Sequence, residues 1–62
     1  MVATVEAFRV RRSEGMVLRF TVETAESIHA GVSDVMAREI LENAGHTIAD
    51  AKSMVANAAA GV

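Results

Sequence analysis

The feature that most limits the possible folds is the alternation of side chains from Met16 to Glu23, MVLRFTVE. Every even-numbered position in this segment is apolar, whereas the odd-numbered positions include arginine, threonine and glutamate. A period of two is that of a β-strand with one buried face, and β-branched and aromatic residues favour this conformation. The sequence therefore predicts a strand over about residues 16–23.

A second strand is predicted upstream, over about residues 3–12, so that the two strands form a hairpin. The segment Ser13–Gly15 between them is predicted to be a three-residue loop, because such loops often end in a left-handed residue and glycine adopts that conformation without steric penalty. This loop length places Phe8 opposite Phe20, with the larger apolar side chains of both strands on one face. The predicted core or dimer contacts of the hairpin are Val5, Phe8, Val10, Leu18 and Phe20.

Charge is distributed unevenly along the chain. Residues 1–22 contain four arginines and two glutamates, whereas residues 23–62 contain two basic and six acidic side chains. In the predicted register Arg9 lies directly opposite Arg19, with Arg11 diagonal to it, and like charges opposed across a sheet are mildly destabilising. We therefore expect this arginine-bearing face either to receive an anionic partner or to be neutralised by acidic side chains of the same assembly, and we favour neutralisation.

From Thr24 onward the apolar residues recur at spacings of three and four, which is the period of an amphipathic helix. The sequence predicts a helix over about residues 25–44, with Thr24 as its N-cap. Gly31 lies inside this segment, but an interior glycine costs a helix only about 1 kcal/mol and the apolar stripe continues across it. The alternative is a short turn followed by a helix that begins after Ser33.

The segment ENAGHTIADA, Glu42–Ala51, contains the signals for one helix to end and another to begin. Gly45 suits the left-handed position just after a helix end. Thr47 suits the N-cap of a second helix, predicted over about residues 48–59. This helix is rich in alanine and can approach a neighbouring element closely. Its predicted core or dimer contacts are Met54 and Val55.

A joint of this kind also occurs in helix-turn-helix proteins, in which the second helix enters the major groove of DNA. Groove-reading helices need arginine or lysine to meet phosphates and guanine. A ribbon-helix-helix dimer would use strand arginines instead, but the predicted first helix is longer than that arrangement requires and the first strand is extra. A structural joint is the favoured interpretation. The exposed positions of the second helix, which carry no net positive charge, are Asp50, Lys52, Ser53 and Asn57.

The residue types present limit the chemistry available to the chain. There is no cysteine, so neither disulfides nor thiolate zinc sites can form. His29 and His46 are not at metal-ligand spacing, and the four glycines occur singly rather than in a phosphate-binding loop. The sequence therefore predicts no metal site, no cofactor, no catalytic residues and no enzymatic activity.

A chain of 62 residues forms at most one small domain, here placed at residues 1–62. A domain of this size buries only about 60% of its unfolded surface, and without disulfides or metal its usual support is oligomerisation. No segment approaches the ~20 apolar residues that span a bilayer, no signal peptide is recognised, and the absence of cysteine fits the cytoplasm.

The resulting prediction is an α+β fold of order β-β-α-α, an antiparallel hairpin with two helices packed on one face, completed as a homodimer. The predicted function is a small non-enzymatic protein-interaction or assembly module, whose partner is a second copy or another protein. The alternative is a dimeric DNA-binding regulator, for which nucleic acid would be the partner. Its candidate binding face is Arg9, Arg11 and Arg19.

Overall fold

The computed structural model describes residues 3–62, which form three antiparallel strands followed by two helices. The α+β class is confirmed, but the chain has one strand more than the predicted β-β-α-α order. The sheet order is β1-β2-β3, so β2 is central. The elements are β1 (Thr4–Arg12), β2 (Gly15–Glu23), β3 (Ile28–Val32), α1 (Asp34–Asn43) and α2 (Ile48–Ala60).

The prediction of one helix over residues 25–44 is wrong, because the first part of this segment forms a turn and β3. Thr24 caps that turn instead of a helix: its Oγ1 accepts hydrogen bonds from the backbone N–H groups of Glu26 at 3.3 Å and Ser27 at 3.2 Å. The Thr24 N–H donates in turn to the Ser27 carbonyl at 2.9 Å. The chain reverses here, and the free edge of β2 supplies backbone partners that side-chain periodicity does not reveal.

Gly31 marks a β-bulge instead of a helix interior. Phe20 pairs with Val32 and Val22 pairs with His29, so one residue of β2 is opposed by two residues of β3. Gly31 has a φ of +72°, in the left-handed region where glycine carries no steric penalty. Such bulges bend a strand and interrupt its ladder, and here the bulge lies at the exposed edge of the sheet.

The alternative start of the first helix is the observed one. Ser33 is the N-cap of α1, and its Oγ accepts a hydrogen bond from the Met36 N–H at 3.2 Å. At the other end, Gly45 has a φ of +108° and its N–H donates to the Glu42 carbonyl at 3.0 Å. This is the left-handed helix ending that the sequence predicts at Gly45.

The second helix also follows its local signals. Thr47 is the N-cap of α2, and its Oγ1 accepts a hydrogen bond from the Asp50 N–H at 3.1 Å. The observed α2, Ile48–Ala60, matches the predicted residues 48–59 to within one residue. The joint between α1 and α2 is therefore built from a helix ending and a helix cap that the sequence carries locally.

The core lies between the helices and one face of the sheet. Its largest fully buried side chains are Phe20, Val22 and Leu41. Among residues 3–62, three of the seven buried residues are alanines, namely Ala3, Ala37 and Ala51, so the core contains little apolar area. The predicted core or dimer contacts fall into three groups. Phe20 and Val55 are buried in the core, and the side chains packed against it are Val5, Leu18 and Met54. Phe8 and Val10 lie on the opposite face of the sheet.

The prediction of a three-residue loop is wrong, and the hairpin register differs from the predicted one by a single residue. The loop is Ser13–Glu14, and Arg12 pairs with Gly15 as the first residue of β2. As a result Phe8 lies opposite Arg19 and not opposite Phe20.

The reason for the different register is that β1 carries apolar side chains on both of its faces. The prediction placed Phe8 and Val10 on the core face because they are the larger residues. The helices instead cover the face that carries Val5 and Ala7, which lie opposite Val22 and Phe20 of β2. A shift of one residue moves every side chain of a strand to the other face.

Candidate assembly surface

β1 is an edge strand of nine residues that pairs with β2 along one side. Arg12 and Gly15 flank a two-residue turn, and such a flanking pair exchanges both backbone hydrogen bonds, as does every second pair along the ladder. The intervening residues of β1 point their N–H and C=O groups away from the sheet, where no other strand of residues 3–62 lies. These outward-facing residues are Val5, Ala7, Arg9 and Arg11.

The two edges of the sheet differ in how they are protected against strand pairing. β3 is only five residues long and contains the bulge at Gly31, two features that blunt an edge. β1 is longer, pairs with β2 without a register shift and contains no proline. The features of β1 that disfavour strand pairing are its charged side chains, chiefly Arg9 and Arg11.

The face of the sheet turned away from the helices, hereafter the outer face, includes the even-numbered residues of β1 and the odd-numbered residues of β2. Phe8 is 38% exposed on this face, and Val10 and Val17 beside it are half-buried. The charged side chains of these two strands on the outer face balance to zero. They are Glu6, Arg12, Arg19 and Glu23.

Arg9, Arg11 and Arg19 do not share a face of the sheet. Arg9 lies opposite Leu18 and Arg11 opposite Met16, both on the helix side, whereas Arg19 lies on the outer face. The prediction that Arg9 opposes Arg19 is therefore wrong, because the register shift places them on opposite sides. The Arg9 guanidinium extends toward the end of α2 and donates a long hydrogen bond of 3.4 Å to the backbone carbonyl of Val62.

A groove of about 430 Å³ lies between the two helices over β2. Its floor is apolar, formed by Leu18, Phe20 and Val55. Ligand sites of this volume usually have a few polar groups fixed in place by burial, but no polar or charged side chain among residues 3–62 is buried. The charged residues that line it are of mixed sign: Asp34, Arg38 and Lys52.

One histidine, His29, lies beside a serine hydroxyl at the start of β3. Ser27 Oγ lies 2.8 Å from His29 Nε2, but Ser27 is exposed on the turn before β3. A nucleophile and base of this kind need a third group that orients the base. Within residues 3–62, no group of three or more histidine, aspartate or glutamate side chains could hold a metal ion.

Comparisons with protein families, curated proteins and solved structures gave no match to this chain. None of the helices in the described part of the chain has the length and apolar character needed to cross a membrane. The fold and its surfaces define a small α+β protein with one blunted and one open sheet edge.

Proposed function

We propose that this protein is a small non-enzymatic interaction and assembly module that acts as a homodimer. The observation that carries the proposal is the open edge of β1, a nine-residue strand whose odd-numbered residues point their backbone groups away from the sheet. An exposed edge of this length is a template for strand addition by another chain. The apolar patch of Phe8 and Val10 beside it would gain burial when a second strand is added.

A homodimer through β1 also solves the edge problem for both copies at once. Pairing of the two β1 strands would produce a six-stranded sheet whose remaining edges are the short, bulged β3 strands. Closed two-fold assemblies are the commonest oligomers, because the same surface serves both partners. The small core supports dimerisation, since alanine occupies three of the seven buried positions in the described part of the chain and contributes little apolar burial.

A DNA-binding regulator has weaker support. Its binding surface would be the arginine-bearing strands, yet Arg9 and Arg11 lie on the helix side while Arg19 lies on an outer face whose charges on β1 and β2 balance. Affinity for DNA grows with the number of phosphates that arginine and lysine neutralise, and a division of the three arginines between two faces reduces that number. We accordingly propose a module without nucleic acid, metal, cofactor or substrate. We propose a cytoplasmic location because the chain has no cysteine and cytosolic proteins rarely depend on disulfides.

The proposal is tested by solution mass from light scattering, combined with an edge-blocking variant. We expect the wild type to show twice the chain mass of 6.5 kDa. Arg9→Pro should be monomeric, because proline removes an outward-facing N–H group and leaves the ladder with β2 intact. Arg9→Ala is the matched control, since it removes the same charge and keeps the N–H group, and it should remain dimeric.

A wild-type protein that stays monomeric at high concentration would overturn the proposal. A dimeric Arg9→Pro variant would move the contact away from the β1 edge. The same measurement with duplex DNA tests the alternative, because binding that weakens steeply with added salt would identify phosphate contacts.

A further inference from the structure

We infer that the two β1 strands pair antiparallel in one defined register, with Thr4 opposite the partner's Arg12 and Phe8 on the two-fold axis opposite the partner's Phe8. This inference rests on the proposed function and specifies the contact through which the second copy binds. The chemistry recognised is that of an identical strand with the same alternation of charged and apolar side chains.

The direction of the backbone groups limits the possible registers. On β1 the odd-numbered residues point their N–H and C=O groups outward, so a ladder with a second copy must match odd-numbered residues with odd-numbered ones. Directly opposed residues project to the same face. The helices of both copies therefore lie on one side of the joined sheet, the two outer faces merge, and alternative registers differ by steps of two residues.

Like charges exclude most of the remaining registers. Shifting the strands one step towards the hairpin turn puts Arg9 on the axis opposite the partner's Arg9, and a second step opposes Arg9 and the partner's Arg11. Two steps in the other direction oppose Glu6 and the partner's Glu6. Each of these arrangements places like charges directly across from one another, which destabilises a sheet.

Among the registers that pair at least five residues of each nine-residue strand, two avoid opposed like charges, and the full overlap is the better of them. A single step away from the hairpin turn centres the dimer on Ala7, leaves Arg12 beyond the end of the partner strand and sets the Glu6 carboxylate against an aromatic ring. Full overlap pairs all nine residues of each strand. It also brings together the two copies of Phe8, the large apolar side chain that β1 leaves exposed.

The position of Phe8 suits a contact on the two-fold axis. Its N–H and C=O groups are directed to β2, so in the joined sheet Phe8 and the partner's Phe8 form a non-hydrogen-bonded pair, in which side chains approach most closely. Two aromatic rings at this distance can pack offset or edge to face. Arg19 lies opposite Phe8 within each hairpin, and its guanidinium would flank the ring pair on either side.

The charged side chains are complementary in the same register. Glu6 lies opposite the partner's Val10 and diagonal to the partner's Arg12, a separation that a long arginine side chain spans. The two-fold axis produces this contact twice. On the helix side, Arg9 and Arg11 face the partner's Ala7 and Val5, so the arginines that would discourage unrelated strands meet no like charge in a second copy.

Single-cysteine variants test the register directly, because the chain contains no cysteine. Phe8→Cys should form a disulfide-linked dimer under mild oxidation, since opposed residues on the axis have Cβ atoms about 4.5–5.5 Å apart, close to disulfide geometry. Val10→Cys is the control on the same face. Its two copies would lie about 14 Å apart, four residues along the strand, so we expect cross-linking at least tenfold slower.

The double variant Glu6→Cys/Val10→Cys keeps Phe8 and places two cysteine pairs across the interface, so it guards against loss of the dimer in Phe8→Cys. We expect it to cross-link rapidly. Faster cross-linking of Ala7→Cys than of Phe8→Cys would shift the axis by one residue and overturn the register. A dimeric wild type with slow cross-linking in every β1 variant would overturn the strand contact and leave self-assembly standing, whereas a monomeric wild type would overturn both.

Discussion

Replacing Gly31 with alanine tests the third strand through the sign of the change in unfolding free energy. Gly31 has a φ of +72°, and an L-residue in the left-handed region costs roughly 1–2 kcal/mol. A methyl group there would meet no atom within 4 Å, so the backbone alone determines the effect. Alanine also restricts the unfolded chain, which stabilises the fold by a smaller amount. We therefore expect the free energy of unfolding to fall by about 1 kcal/mol. In a helix interior the same substitution would instead stabilise by up to about 1 kcal/mol.

The assay is thermal unfolding followed by far-ultraviolet circular dichroism, because the chain has neither tryptophan nor tyrosine. All variants are compared at one protein concentration, since dimerisation makes the unfolding temperature concentration-dependent. A loss of about 1 kcal/mol lowers the midpoint of a domain of this size by about 4–8 °C.

Two controls isolate the backbone contribution. Gly61→Ala makes the same chemical change where φ is −84°, and it should shift the midpoint less. Gly31→D-alanine, made by chemical synthesis, has the opposite chirality and should preserve or raise the midpoint. An increase in midpoint for Gly31→Ala would refute the bulge and with it the account of β3.

Three further substitutions test the caps and the core. Thr47→Ala should cost about 1 kcal/mol by removing the N-cap of α2, whereas Thr47→Ser should restore most of it in urea unfolding; equal stability of the two variants would contradict the capping role. Ser33→Ala should cost a similar amount, and its amide exchange should rise in the first turn of α1 alone. Leu41→Ala should lower the free energy of unfolding by about 2–5 kcal/mol. This is a large part of the ~3–9 kcal/mol total stability expected for 62 residues, so the calorimetric unfolding transition should broaden or vanish. Leu41→Met keeps the side-chain volume and should retain a cooperative transition.

Features that depend on neighbouring residues alone were predictable. Gly45 and Thr47 mark the end of one helix and the start of the next because a left-handed position and a side-chain cap each need only a few adjacent residues. β2 was equally clear, since its alternation reflects one buried face. These signals survive in the fold because no competing partner acts on the same segments.

The predicted first helix failed for the opposite reason. Residues 28–32 contain apolar spacings that also fit a helix, and Gly31 fits a helix poorly but not prohibitively. The deciding contact is the unpaired edge of β2, which lies several residues away along the chain and becomes available only once the first hairpin exists. The candidate arginine face was lost in the same way, because Arg9 and Arg19 share a face in one register and not in the other.

Short-range backbone preferences and side-chain periodicity were enough to predict the α+β class, the strand β2, the ending of α1 at Gly45, and the cap and limits of α2. Long-range contacts were needed to establish that β3 exists, which face of β1 is buried and which arginines share a face. Those outcomes depend on hydrogen bonds between separate strands and on packing of the helices against the sheet face that carries Ala7. A short-range sequence pattern does not report the free energy of either interaction.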